Sequence, residues 1–263
     1  MTRPILRSRL LSRAGLLHGF TTRQGGVSRP PFATFNLSDA VGDAPADVAA
    51  NRRRFARYSG LAWSRLVELE QVHGDAVLVV DRPPAELPGG ARRRCDASVT
   101  DRTDPMLGVR TADCTPLLLA STRPRAAAAV HAGWRGTLAG VVARAVAELE
   151  RRCGCRPAEL LAVIGPCIHR AAYRVGPEVY APFAERFGGE ATEQSAGTLR
   201  VDLVAANRRW LLDAGLVAER IEVLDYCTFE RADLFFSHRR DRGRSGRQLA
   251  FISLAPEAAG GAD

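Results

Sequence analysis

Apolar residues recur along this chain with two different spacings, and the spacings separate helices from strands. Four stretches carry a helical stripe. Residues 43–60 open with Asp43 and Pro45 and close on Gly60. Residues 137–152 put Leu138, Val141, Val142, Ala145, Val146 and Leu149 on one face, with Arg144, Glu148 and Arg152 opposite. Residues 177–188 predict a shorter helix limited by Pro182. Residues 202–215 begin at Asp202, an N-cap residue type, turn Leu203, Ala206, Trp210 and Ala214 inward, and stop at Gly215. Between and around these lie short apolar runs of strand length: LVELEQV, AVLVV, MLGV, TPLLLA, AAAAVHA, LLAVIG, IEVL, LFFSH and LAFISL. Several neighbours are joined by short turns, so the pattern predicts mixed α and β structure with hairpins. It speaks against the steady βαβ alternation of a doubly wound nucleotide fold.

One pair of runs carries chemistry. RTADCTPLLLASTRPRAAAAVHAGWRG, residues 110–136, holds Cys114 near the start of one run and His131 near the end of the next. If STRP (121–124) is a hairpin turn centred between Thr122 and Arg123, cross-strand partners have residue numbers summing to 245, and Cys114 faces His131. Such partners have Cβ atoms about 4.5–5.5 Å apart, within reach of a Cys–His hydrogen bond or one shared metal ion. The inference depends on register, because a one-residue slip turns a side chain to the other face. Pro116 forbids a complete ladder there and predicts an edge or a bulge. His73, where a strand enters the turn at Gly74-Asp75, is the third candidate. Two His and one Cys would leave a tetrahedral zinc ion one open position, the arrangement of catalytic sites. A metal-free Cys–His nucleophile pair and ordinary buried residues are the competing readings.

Composition narrows the field. The 263 residues suffice for one large domain or two small ones, and 81–96, rich in Pro and Gly, reads as a long exposed loop rather than a domain boundary. No apolar run approaches the ~18 residues of a membrane span, and the Arg- and Ser-broken start lacks the apolar core of a secretory signal. The expected location is the cytoplasm, where the six cysteines (95, 114, 153, 155, 167 and 227) are reduced thiols or metal ligands. Every one of the 37 basic residues is Arg. The absence of Lys excludes a Walker-A phosphate loop, a Schiff-base mechanism and a Ser–Lys dyad. The net charge of +8 raises nucleic acid as a partner, but the Arg residues are scattered and aromatics are only 6%, so neither nucleic acid nor membrane is expected.

Seven segments extend the reading beyond residue chemistry. GFTTRQGGVS with FNLSDAVGD, EQVHG, TADCTPLLL, HAGWRGTLAG, IGPCI and DYCTFERADLFFSHRRD occur in order over nearly the whole chain. Together they resemble the laccase-domain family, whose members have been called multicopper polyphenol oxidases, purine nucleoside phosphorylases and a peptidoglycan-editing factor. The resemblance implies one domain over 1–263, an α+β layered fold with mixed β-sheets flanked by helices, similar to cysteine-hydrolase-like toxins. It also implies a zinc site, sometimes reported with copper, whose ligands match His73, Cys114 and His131. The implied activity is phosphorolysis of adenosine or inosine to base and ribose 1-phosphate, with adenosine deamination and methylthioadenosine cleavage as related reactions. Five histidines (18, 73, 131, 169 and 238) are too few for the His-rich cluster of a true multicopper oxidase. A Cys114-dependent amidase acting on a cell-wall precursor is the alternative activity, and copper-dependent phenol oxidation a weaker one.

Phosphorolysis requires a site for an anion and stabilisation of a departing purine. The AGWRGT turn, leading from a strand into a helix, offers backbone N–H groups, and Arg135 offers a bidentate contact. Arg23 and Gln24, ahead of paired glycines, and Asn36 are further candidate substrate contacts, each with a plain turn-building role as the alternative. Asp113 is a candidate acid or base, or a structural carboxylate, and on a regular strand it would face away from Cys114. Cys167, after an apolar strand, reads as buried rather than reactive, and Cys153 and Cys155 lack the second ligand pair of a structural zinc site.

Overall fold

The computed structural model describes residues 2–87 and 93–254. Two mixed sheets carry the architecture. The first runs in the order Ile5–Leu6, Leu17–Thr21, Gln248–Ser253, Met106–Thr111, Leu66–Val67. The second runs Ile221–Val223, Leu161–Ile164, Thr115–Thr122, Arg125–Ala132, Ala97–Thr100, Val77–Val79. Both are mainly antiparallel, with parallel pairs toward their edges.

Alternation along the strands assigns the faces. Leu118, Ala120, Ala127, Ala129 and Val163 of the second sheet pack against Phe20, Val109 and Ile252 of the first. The intervening residues Leu117, Leu119, Ala128 and Val130 turn the other way, onto Val142, Ala145, Val146 and Leu149 of the helix Val141–Cys153. On the far side of the first sheet, Leu17, Leu249 and Phe251 meet Phe55 of the helix Pro45–Ser59. The result is a four-layer stack of helix, sheet, sheet and helix, the α+β layered class that the sequence pattern and the resemblance predict. No helix among the described residues is long and apolar enough to cross a membrane.

Several elements depart from the sequence pattern, each for a physical reason. The stripe predicted over 137–152 divides into Trp134–Ala139 and Val141–Cys153, because Gly140 is left-handed (φ 80°) and caps the first piece. Pro182 does not limit its helix, which spans Pro177–Phe187. It forfeits one intrahelical bond, while buried Val179, Phe183 and Phe187 hold the face down. LFFSH is not a strand. Phe235 and Phe236 are buried in irregular chain because the Gln248 side chain takes the place of a strand partner, accepting from Phe236 N at 3.1 Å and donating to its carbonyl at 3.1 Å. The loop predicted over 81–96 includes a short helical turn at Pro84–Glu86 and the strand Arg93–Arg94, with 88–92 outside the described residues. Pro116 lies on neither an edge nor a bulge: it is the second residue of a central strand. Its missing donor faces Gly165, where the ladder to Leu161–Ile164 has already ended.

Candidate metal centre

The site is built at one end of the second sheet. The hairpin Thr115–Thr122/Arg125–Ala132 turns on Arg123 and Pro124, and His131 is opposite Pro116, not Cys114. The predicted register is thus displaced by two residues, which preserves the face because side chains alternate with period 2. His131 shares the inward face with Ala127 and Ala129, and Cys114, just ahead of the strand, comes back alongside it. Where the layer between the sheets runs out of apolar side chains, it ends in an imidazole and a thiol.

His73 arrives from outside the hairpin, on the turn between Leu69–Glu70 and Val77–Val79, with φ +62°. One ligand atom from each of His73, Cys114 and His131 falls within 4.8 Å of the others, the one such group among the described residues suited to a metal ion. The two imidazole rings are 4.9 Å apart and nearly perpendicular. Gly133 leaves the room they need: a Cβ there would be 3.1 Å from Cys114 Sγ and 3.0 Å from His73 Cδ2.

The arrangement is held by Asp96, which is not among the candidate residues read from the sequence. The strand Ala97–Thr100 pairs with Ala127–Val130, so Asp96 falls directly beside His131. His131 Nδ1 donates to Asp96 Oδ1 at 2.8 Å, and the His131 backbone N donates to the Asp96 carbonyl at 2.7 Å. The same carboxylate accepts from the backbone N of Val72 (3.2 Å), His73 (2.9 Å) and Gly74 (2.7 Å). Asp96 is wholly buried. Burial alone would raise its pKa, but the His131 hydrogen bond and charge and the turn's N–H groups bring it below the usual carboxylate value. Fixing Nδ1 as the donor leaves His131 Nε2 as the lone-pair nitrogen for a ligand. Burial likewise pushes the Cys114 thiol up, yet the His131 charge and hydrogen bonds from both imidazoles bring it down to about 6. His131 goes the other way. Desolvation lowers it, but the thiolate and Asp96 raise it to about 9.

The other residues singled out by the sequence divide by what their side chains already hold. Asn36 is buried with every polar group engaged: Nδ2 donates to Ser38 O and Asp43 Oδ2, and Oδ1 accepts from Ser38 N and Arg247 N. Gln24 joins Arg3 N to the Asp233 carbonyl. Arg23 bonds the Ala33 and Ala232 carbonyls and lies over Phe236. Asp113 is outside any regular strand, at φ +95°. Its carboxylate accepts from Thr228 Oγ1 (2.7 Å) and Arg239 N (2.7 Å), fastening the 228–239 segment to the residue beside Cys114. Arg135 differs from all of these: it is exposed, stacks over Trp134 at 4.2 Å, and makes no hydrogen bond or ion pair among the described residues. Cys167 is buried, as predicted.

The chain is similar to known proteins over most of its length. Residues 17–255 match the family described as multi-copper polyphenol oxidoreductase laccase. The chain belongs to that family. A purine nucleoside phosphorylase of Corynebacterium glutamicum is 41% identical over 91% of this chain and 94% of its own. One of Mycobacterium tuberculosis is 44% identical over 84% of this chain and 85% of its own. The crystal structure of YlmD from Geobacillus stearothermophilus superposes with a TM-score of 0.89 at 34% identity, covering 97% of each chain.

Within this laccase-family chain, the sequence left three further residues near the centre unmarked. Tyr173, whose phenol is pushed up to about 12 by burial and by the Cys114 charge, lies under the Arg239 guanidinium at 5.1 Å. Arg247 is half-buried, donating through Nη1 to Ser245 and Gly246, and its charge acts on Cys114 and Asp113. For Asp96 a signal existed in principle: once ASVT is read as a strand beside AAAAVHA, the preceding Asp must fall next to His131.

Proposed function

We propose that this protein is a zinc-dependent purine nucleoside phosphorylase, converting adenosine or inosine and phosphate to the free base and ribose 1-phosphate. The observation that carries the reading is the His73–Cys114–His131 group with one carboxylate supporting both histidines, in a chain whose relatives at 36–44% identity are named purine nucleoside phosphorylases. The donor set fits zinc: two imidazoles and a thiol already biased toward thiolate, with an Asp behind one His. Bound there, zinc would supply a Lewis acid with one coordination position open. Asp96 keeps His131 in the tautomer that presents Nε2, and Arg135 offers an unpaired charge for an anionic reactant. Adenosine deamination and methylthioadenosine cleavage are the side reactions that the same centre would support. The six cysteines are free, as a reducing compartment requires, and we place the reaction in the cytoplasm.

A second reading rests on the acidity of Cys114. A thiol near 6 beside an imidazole near 9 is a thiolate–imidazolium pair, the nucleophile of a metal-free amidase acting on a cell-wall precursor. Multicopper phenol oxidation ranks behind both. It needs a second His-rich cluster, and His18 is committed to Leu16 O and Ser8 N.

Product analysis separates the readings. Purified protein of known metal content is given adenosine with and without phosphate, beside Cys114→Ala. Adenine and ribose 1-phosphate that require phosphate, Cys114 and chelatable metal support phosphorolysis. Inosine formed without phosphate moves the reading to deamination. Loss of metal that leaves an amidase activity intact moves it to the thiol.

A further inference from the structure

Beside the metal centre runs a groove of about 480 Å³ lined by Trp134, Tyr173, Arg174, Glu178 and Arg239 among others. It is tied to the centre at two points. Trp134 is the next residue but two after His131, and Arg239 is anchored by its backbone N to Asp113, the neighbour of Cys114. Arg239, over Tyr173 at 5.1 Å, is in the lining, and the exposed Arg135 stacks at 4.2 Å on Trp134, a lining residue. Both cations act on the Tyr173 phenol, which also feels the Cys114 charge, so the groups share one neighbourhood. Neither Arg has an acidic partner among the described residues. Arg239 spends Nη1 on the Arg174 carbonyl at 2.6 Å, and Arg135 spends nothing. The Tyr173 hydroxyl makes no hydrogen bond among the described residues. Glu178, the sole acid of the lining, folds its carboxylate back over Gly176 at the start of its own helix.

Some other exposed Arg residues pair with nearby acids, as Arg231 does with Asp233, Arg209 with Asp213 and Arg151 with Glu148. What sets Arg135 and Arg239 apart is convergence: two stacked guanidiniums without an acidic partner act on one phenol that makes no hydrogen bond among the described residues. Stacking fixes the planes of the two forks and leaves their N–H edges to donate to oxygens, the geometry suited to a tetrahedral oxyanion. We propose that Arg135, Arg239 and the Tyr173 hydroxyl form a subsite for a phosphate group next to the metal centre. The assignment deepens the phosphorolysis reading and rests on it for the identity of the ion as free phosphate. A phosphate ester on a larger substrate would engage the same three groups.

Calorimetric titration tests it without turnover. Inorganic phosphate, adenosine and adenosine 5′-monophosphate are titrated separately into the purified protein with its metal as isolated. The proteins are wild type, Arg135→Gln, Arg239→Gln, Tyr173→Phe and, as a control for net charge, Arg53→Gln on the exposed face of the helix Pro45–Ser59. The expected result is phosphate binding weakened at least tenfold by each Arg substitution and severalfold by Tyr173→Phe, with adenosine affinity and melting temperature unchanged and the control like wild type. Arg135→Gln carries the most weight, since that side chain makes no hydrogen bond or ion pair among the described residues and stacks on Trp134. Binding of the monophosphate but not of free phosphate, lost in the same variants, would support the subsite and assign it to an esterified group. Unchanged phosphate and monophosphate binding in both Arg variants would overturn it. If phosphate binds through these residues and no phosphorolysis occurs, the reaction fails and the subsite stands.

Discussion

The two histidines of the centre are mounted in opposite ways. His131 is the penultimate residue of a buried strand, positioned by pairing with Pro116 on one side and by the Asp96 carbonyl on the other. His73 is exposed, on a left-handed turn between two short strands, with no sheet partner of its own. What lets both serve the proposed metal centre is one carboxylate. Asp96 takes the ring N–H of the first and three successive backbone N–H groups around the second. A sheet can place one metal ligand by register alone. A turn cannot, and here a buried acid on the adjoining strand does it.

Breaking that link should have the largest effect. Asp96→Asn keeps the size but offers an amide N–H where the turn offers N–H groups or where His131 needs an acceptor. Metal affinity is expected to fall about 10–100-fold, measured by competition with a chromogenic chelator. Phosphorolysis should fall in parallel and recover partly with excess metal; unchanged metal affinity would show that the turn holds His73 unaided. Next in size is Gly133→Ala. The added methyl crowds Cys114 Sγ and His73 Cδ2 from the sheet side, so metal content should drop severalfold while the melting temperature shifts by only a few degrees.

A third test sharpens the contrast by pH. In metal-free protein Cys114 should remain thiolate as pH falls until about 6, so alkylation by iodoacetamide is expected to titrate there rather than near 8.5. His131→Ala, which removes the main counter-charge, should move that midpoint up by a unit or more. The sign for stability follows from the opposed shifts. A thiol lowered to about 6 makes stability rise with pH between 6 and its unfolded value, whereas an imidazole raised to about 9 makes it fall between 6.5 and 9. The two slopes cancel over the shared window, and metal-free stability should be nearly flat between pH 6.5 and 8.5. The smallest effect is expected from Asp113→Asn, which weakens the fastening of Thr228 and Arg239 but touches neither imidazole. It should leave metal affinity within about twofold and raise KM for phosphate.

How much of this was legible beforehand follows from the range of the forces involved. The helix Leu203–Asp213, its Asp202 cap and the stripe of Val141–Cys153 depend on neighbours within a turn, and their spacing predicts them. The hairpin also announced itself, and its displaced register did no harm because a two-residue shift keeps the face. Asp96 was invisible for the opposite reason. Its role depends on ASVT, a short run of small residues, becoming a strand beside a partner some thirty positions on, and no local signal reports that pairing. The irregular burial of Phe235 and Phe236 is similar, since it is decided by the distant amide of Gln248. Asn36 shows the converse: a polar residue in a matched segment invites a substrate role, yet its four hydrogen bonds are spent inside the protein.

The His131–Asp96 pair has a consequence for how the protein can be observed. The proton between Nδ1 and a fully buried carboxylate is shielded from solvent on both sides, with His131 only 3% exposed. It should exchange slowly enough to give a separate, strongly downfield line in the proton NMR spectrum, well away from the amide envelope. Because the opposite nitrogen of the same ring is the one that faces Cys114 and His73, the frequency of that line would report occupation of the centre in solution. No substrate, label or chromophore would be required, and metal exchange could be followed in real time.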